Sequence, residues 1–335
     1  MTIRLAVLGT GRIGRMHAEL IDREIPGIEL GSVFDVVADS AQSVATELGV
    51  TAAASLDAAL ADPSIDAVCI ATSTDTHVDT MIAVAEAGKH IFLEKPISLD
   101  LGEVDRGLAA VEAAGVSLQI GFNRRFDPGH AAVRSAVADG SVGDLHLVRI
   151  TSRDPAPPPI SYVEVSGGIF RDMMIHDFDM ARFITGSEVV DVTAKAAVRI
   201  DPAIGAAGDY DTAVVVLTHA DGTITTIDNS RQAVYGYDQR VEAFGSAGMA
   251  TSENQLMNNS RVSTATGTVE QPLQYFFLER YIPSYIAEWK AFATAVADGV
   301  APPVSGNDGR APLLIAQAAL QSIDEGRTVG LADLE

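Results

Sequence analysis

The sequence predicts a two-domain chain. Residues 1–121 form an α/β domain on a parallel sheet, and residues 122–335 an α+β domain with an open, mostly antiparallel or mixed sheet. Three observations carry that prediction. In the first third, short apolar runs alternate with helical patterns, the signature of βαβ units with right-handed crossovers. Beyond about residue 122, strand patterns follow one another with few helices between them, which favours an antiparallel or mixed sheet. The length, 335 residues, matches two domains of roughly 150 residues each.

The elements follow in order. Ile3 to Leu8 reads as a strand, 12–23 as a helix, Ile28 to Phe34 as a strand and 39–48 as a helix. Residues 66–71 are the third clear strand, followed by a helix at 76–87, a strand at His90 to Leu93, a helix at 100–114 and a strand at Val116 to Ile120. In the second half, 144–152, 189–200, 212–219, 223–229, 239–244 and 260–271 read as strands. Ala220-Asp221-Gly222 joins two of these as a hairpin. Helical patterns cover 168–185, 278–298 and 309–325, and the last helix is expected to pack near the first domain.

Charge and composition remove several classes of function. Lys and Arg total 23 against 45 Asp and Glu, a net charge of −22. A surface that acidic repels phosphate backbones and anionic lipid, so no nucleic-acid or membrane partner is expected. No uncharged apolar run reaches the 18 or so residues of a membrane span. The first apolar stretch runs into glycines and not into a cleavage site, so a cytoplasmic protein is expected. One cysteine, Cys69, excludes an internal disulfide and a multi-thiolate metal site.

Gly9-Thr10-Gly11-Arg12-Ile13-Gly14 is a G-x-G-x-x-G motif between a strand and a helix, the context in which it binds a dinucleotide in a Rossmann domain. Gly9 permits the turn, Gly11 lets the backbone approach a diphosphate, and Gly14 lets the helix pack on the strand. The helix N-terminus then holds the diphosphate through its N–H groups and dipole. Asp35, 21 residues after Gly14, ends the second strand, where a carboxylate accepts from ribose hydroxyls and repels a 2′-phosphate. Val36 and Val37 supply no cation, so NAD is expected over NADP. Ala71, Thr72, Ser73, Thr74 and His77 follow the third clear strand, at the end where such folds bind ligands, and are expected along the cofactor with Glu94, Lys95 and Asn123.

Lys95, in Glu94-Lys95-Pro96, follows the next strand at its C-terminal end, and Pro96 is a candidate cis proline. Asp172, His176 and Asp179 have i, i+4, i+7 spacing, which puts three polar groups on one face of a helix. Histidine suits proton abstraction from an alcohol near neutral pH. Asp172 is placed to orient the imidazole, and Asp179 to bind substrate hydroxyls. With a single His and no Cys in this group, no metal is expected.

These motifs, in this order, resemble the glucose–fructose oxidoreductase/inositol dehydrogenase family (Gfo/Idh/MocA) along essentially the whole chain. Four stretches resemble bacterial inositol 2-dehydrogenases most: Gly121–Asp127, Gly167–Arg182, Tyr235–Arg240 and Phe276–Tyr281. The resemblance implies a catalytic set of Lys95, Asp172 and His176. It further implies oxidation of a ring hydroxyl of a cyclic polyol by NAD, with myo-inositol going to scyllo-inosose as the leading reaction. Asp154, Asp179, Tyr235 and Tyr281 are candidates to hold the other hydroxyls. A homotetramer, common in the family, is expected. The chain departs from some inositol dehydrogenases at Ser152-Arg153-Asp154-Pro155, where they carry a histidine, which leaves the polyol open. Other readings are a different polyol or sugar dehydrogenase, an NAD-dependent glycosidase and a non-catalytic NAD-binding regulator.

Overall fold

The computed structural model describes Thr2–Leu334. The chain divides into a first unit, running to Asn123 and including Tyr285–Ala311, and a second of Arg124–Ser284 with the chain from Pro312 onward.

The first unit alternates β1 (Ile3–Leu8), α1 (Arg12–Glu24), β2 (Ile28–Phe34), α2 (Ala38–Leu48), β3 (Thr51–Ala52), α3 (Leu56–Ala61), β4 (Ala67–Ile70), α4 (His77–Glu86), β5 (His90–Leu93), α5 (Leu101–Ala114) and β6 (Leu118–Ile120). Its six strands are all parallel, in the order β3-β2-β1-β4-β5-β6. This is the Rossmann order, and it reverses direction between β1 and β4. Helices on both faces explain why the central strands are continuous apolar runs: Ala67, Val68, Cys69 and Ile70 are all fully buried. Local chemistry sets the helix ends. Asp100 caps α5 by accepting from Glu103 N at 3.0 Å, and Gly115 stops it at φ 66°. Gly9, Ala71, Glu94 and Gly121 follow the C-terminal ends of β1, β4, β5 and β6.

The second unit contains α6 (Pro128–Ala138), β7 (Leu145–Arg153), α7 (Ile160–Ser166), a π-helical turn at Ile169–Met173, α8 (Ile175–Thr185), β8 (Val189–Ala197), α9 (Pro202–Ala206), β9 (Thr212–His219), β10 (Ile224–Ser230), β11 (Asp238–Gly245), β12 (Gly248–Ser252) and the hairpin β13 (Arg261–Thr264) and β14 (Gly267–Glu270). The remaining elements are α10 (Phe277–Asp298), α11 (Gly306–Glu325) and β15 (Val329–Gly330). Seven strands form a mixed sheet, β12-β11-β7-β10-β9-β8-β15, in which only β7 and β10 pair in parallel. Strand alternation sorts its two faces. Val148, Ile150, Val215 and Leu217 point into a core with Phe178, Ile184, Ile315 and Ala319. Val190, Val214, Val216, Ile224, Phe244 and Met249 are exposed.

Four features differ from the sequence reading. The chain returns to the first unit at Tyr285–Ala311, because fully buried Trp289 and Phe292 pack into the core beside Phe92, Leu5 and Val7. The last helix is divided: Gly306–Ala311 belongs to the first unit, while Ile315, Ala316, Ala318 and Ala319 fill the core of the second. The run 260–271 is not one strand but a two-stranded hairpin, turned at Ala265–Thr266. Residues 168–185 are not one regular helix. A π turn ends at Met173 before α8 begins, so Asp172 is out of the i, i+4 register that the spacing implied.

Candidate active site

The first unit presents a glycine-built cradle. Gly9 adopts φ 88°, and a Cβ there would overlap the Ala71 carbonyl. A Cβ on Gly14 would overlap the carbonyl of Gly9. Gly11 has no heavy atom within 4 Å of where its Cβ would be, so the backbone is open to a ligand there. Gly11 also starts α1 without any side-chain cap, leaving the first-turn N–H groups for an anion.

Asp35 works on this loop directly. One carboxylate oxygen accepts from Thr10 N at 2.7 Å and Thr10 Oγ1 at 3.0 Å, and the other from Val37 N at 2.8 Å. Burial raises its carboxyl, but the bonds from Thr10 and Val37 outweigh that and hold it below the usual carboxylate range. Val36 and Val37 are exposed beside it. Asn123 is buried, and its Nδ2 has no hydrogen-bond partner. An open glycine cradle, an uncapped helix start, a ribose-type carboxylate and an orphaned amide donor fit a dinucleotide.

His77, expected along the cofactor, is buried instead. Nδ1 lies 2.8 Å from Pro96 O and Nε2 3.1 Å from Thr72 O, so the ring joins the loops after β4 and β5. Burial lowers its pKa, with the two carbonyls opposing. Thr76 Oγ1 donates to this strand-end turn, 2.8 Å from both Thr72 Oγ1 and Ser73 O. The Lys95–Pro96 peptide is cis.

In the second unit, Gly167 and Gly168, at φ 87° and 80°, lead into the π turn that carries Asp172. Asp209 receives the start of the turn, accepting from Ile169 N at 2.9 Å. Arg231, its side chain 1% exposed, donates to Asp209 at 3.1 Å and lies 3.8 Å from Asp172 Oδ2. Tyr162 OH donates to Asp172 Oδ1 at 2.9 Å. Both Asp172 and His176 are half-buried.

The neighbouring acids are different in kind. Asp179 is buried in a bidentate pair with Arg125, at 2.6–3.1 Å. The sequence put it on substrate hydroxyls; the structure gives its oxygens to a guanidinium. Asp177 accepts from Arg124 at 2.8 Å and Asn229 at 2.9 Å. Arg124 also reaches Ser152 Oγ and stands over the Tyr281 ring, 5.8 Å from its centroid. Burial pushes Asp154 up to about 6, with Arg124 and Arg231 pulling it down and Asp172 raising it. Tyr281 is buried with no bond on its hydroxyl, and burial pushes it up to about 12. Asp154, Asp172 and Tyr281 thus gather around Arg124 and Arg231. Tyr235 is placed elsewhere. Its hydroxyl bonds Asp238 at 2.6 Å and Arg153 at 2.9 Å, in a cluster with Asp228 that starts from the outward side chain of Arg153.

Sequence reasoning missed Arg124, Arg231 and Tyr162. The two arginines have no spacing signature of their own, and only their burial marks them. Among the described residues no His, Cys, Asp and Glu cluster could hold a metal, and no helix is long and apolar enough to cross a membrane.

Fold and cradle together define an NAD-binding oxidoreductase. Residues 3–122 match the oxidoreductase family with an NAD-binding Rossmann fold, and residues 130–251 match the GFO/IDH/MocA C-terminal domain. The chain belongs to the GFO/IDH/MocA family. It is 47% identical to a myo-inositol 2-dehydrogenase of Thermotoga maritima over 333 residues, 99% of each chain. It is also 47% identical to an inositol 2-dehydrogenase of Rhizobium meliloti over 332 residues, 99% of this chain and 100% of the relative. A crystal structure of scyllo-inositol dehydrogenase from Lactobacillus casei, with NAD(H) and scyllo-inositol bound, superposes with a TM-score of 0.92 at 29% identity. That match covers 99% of this chain and 100% of the other.

Proposed function

We propose that this protein oxidises a ring hydroxyl of a cyclic polyol, with myo-inositol going to scyllo-inosose as the reaction. The observation that carries this reading is the whole-length 47% identity to inositol 2-dehydrogenases. NAD accepts the hydride. His176 takes the hydroxyl proton as general base. Lys95 stabilises the charge that develops on the same oxygen. Asp172, itself held by Tyr162 and approached by Arg231, orients the base. Asp154 and Tyr281 serve the remaining hydroxyls. A buried hydroxyl left without a partner costs about 1–3 kcal/mol, so a polyol site needs this density of polar groups.

The proposed setting is the cytoplasm, and the proposed assembly a homotetramer. The exposed row Val190, Val214, Val216, Ile224, Phe244 and Met249 supports oligomerisation through the open sheet face. Light scattering on Val216→Glu is expected to show smaller species than wild type. The activity is tested by following NADH formation at mildly alkaline pH over a panel of inositols and pyranoses. Preference for myo-inositol supports the reading. A pyranose preference, or reducing sugar released without net NADH, overturns it.

A further inference from the structure

His17 sits three residues beyond the glycine motif on α1, and its side chain is fully buried. Its ring stands edge-on to Phe92, Tyr285 and Trp289, with centroids 5.4, 5.5 and 5.5 Å away. Trp289 in turn stacks on Phe92 at 4.1 Å. Within this aromatic cage both imidazole nitrogens are engaged. Trp289 Nε1 donates to Nδ1 at 2.9 Å, and Nε2 lies 2.8 Å from Glu94 Oε1.

The donor inventory fixes the tautomer. An indole nitrogen only donates, so Nδ1 must accept. The single ring hydrogen is therefore on Nε2, and it is donated to the carboxylate. A hydrogen on Nδ1 would face the indole N–H, so the geometry places the ring hydrogen on Nε2. The Glu94 carboxylate rests against Gly121, where a Cβ would come within 3.2–3.3 Å of its atoms. Glu94 is thus held by His17 from one side, and a side chain at residue 121 would press on it from another.

We propose that Trp289, His17 and Glu94 form a positioning chain for Lys95, the next residue after Glu94. The sheet ties this strand end by Glu94 N to Ile70 O at 3.0 Å. The side-chain tie to His17 adds a second anchor from α1. Two anchors of different origin fix the peptide from which Lys95 departs. The inference rests on the reading of Lys95 as the group that stabilises the developing oxyanion. A misplacement of about 1 Å at such a group costs on the order of 10²-fold in rate.

Two substitutions separate positioning from core packing. His17→Phe keeps the ring contacts and removes the donor. His17→Gln loses the ring and keeps an N–H donor near the Nε2 position. The chain predicts that His17→Phe lowers kcat by about 10-fold or more, with KM for NAD changed less than about 3-fold. His17→Gln is expected to return kcat to within about 3-fold of wild type. A wild-type kcat in His17→Phe, or equal losses in both variants, overturns the proposal. Nitrogen NMR of histidine-labelled wild-type protein reads the tautomer directly, even where a variant fails to fold. Hydrogen on Nε2, altered by Trp289→Phe, supports the chain, and hydrogen on Nδ1 overturns it. Lys95→Met separates the two readings: unchanged turnover there removes the role of Lys95, while the tautomer still reports on the chain itself.

Discussion

Exchanging Asp35 for Ser and Val36 for Arg tests the nucleotide half of the molecule in two independent ways. Asp35 makes three hydrogen bonds, two to Thr10 and one to Val37 N, and a serine hydroxyl can replace about one of them. A hydrogen bond to a charged group contributes about 1.5–3 kcal/mol. At this half-buried position we take about 1 kcal/mol for each of the two lost, about 2 kcal/mol in total. That is a fall in Tm of roughly 4–8 °C by the scaling for 150–250 residues, toward the lower end for a longer chain. In exchange, the carboxylate that repels a 2′-phosphate is gone and a guanidinium that can bind one is present. A swing of about 3 kcal/mol moves the NADP-to-NAD ratio of kcat/KM by roughly 10²-fold. Steady-state kinetics with each cofactor and a thermal melt read both numbers. Faster wild-type turnover with NADP at equal concentration refutes the role of Asp35 in cofactor choice. An unchanged Tm refutes its role in bracing Thr10.

Replacing His176 with Ala is expected to lower kcat by about 10²–10⁴-fold while NAD binding persists; near wild-type turnover leaves Lys95 as the base. Asp179→Asn, which takes the charge from a buried pair with Arg125, is expected to destabilise the fold by about 3–5 kcal/mol in a denaturant titration. A raised polyol KM with no loss of stability restores Asp179 to the substrate. For Asp154, burial raises the folded pKa from the ordinary 3.8 to about 6, so the folded state holds this proton more tightly than the unfolded chain. The resulting stability is complete below about pH 4 and is lost as pH rises toward 6. Denaturant midpoints of Asp154→Asn should lack that decline, and identical pH profiles for variant and wild type reject the burial argument. Replacing Arg231 with Met leaves Asp209 and Asp172 beside an apolar chain, so both stability and kcat are expected to fall. An active, fully stable Arg231→Met would show that the arginine does not hold the turn.

The two halves of the site were legible to different degrees. Gly9, Gly11, Gly14 and Asp35 are all tied to one βαβ unit, so spacing alone located them, and Asp35 bonds Thr10 of the glycine loop directly. Asp172, His176 and Asp179 were read from helical spacing, and that reading failed at the π turn. One extra residue between Ile169 and Met174 shifts the register, and Asp179 goes to Arg125. No local pattern announces a π turn, and the carboxylate that meets its first residue, Asp209, lies 40 residues away from Ile169. Tyr235 illustrates the same limit: its motif was conspicuous, but it lies in the turn before β11 and its hydroxyl goes to Arg153 and Asp238.

By itself, the sequence determined the parallel sheet of the first unit, the mixed sheet of the second, the glycine motif between β1 and α1 and the absence of a disulfide. These depend on neighbours in the chain: apolar period, turn residues, a count of cysteines. Tertiary structure alone decided that Tyr285–Ala311 belongs with the first unit, that buried Arg124 and Arg231 pair with Asp177 and Asp209 and Arg125 with buried Asp179, and that Trp289 meets His17 across 272 residues. The physical reason is common to all three. A charge or an aromatic ring carries no mark of its partner, and burial pairs it with whichever group long-range packing brings within hydrogen-bond distance.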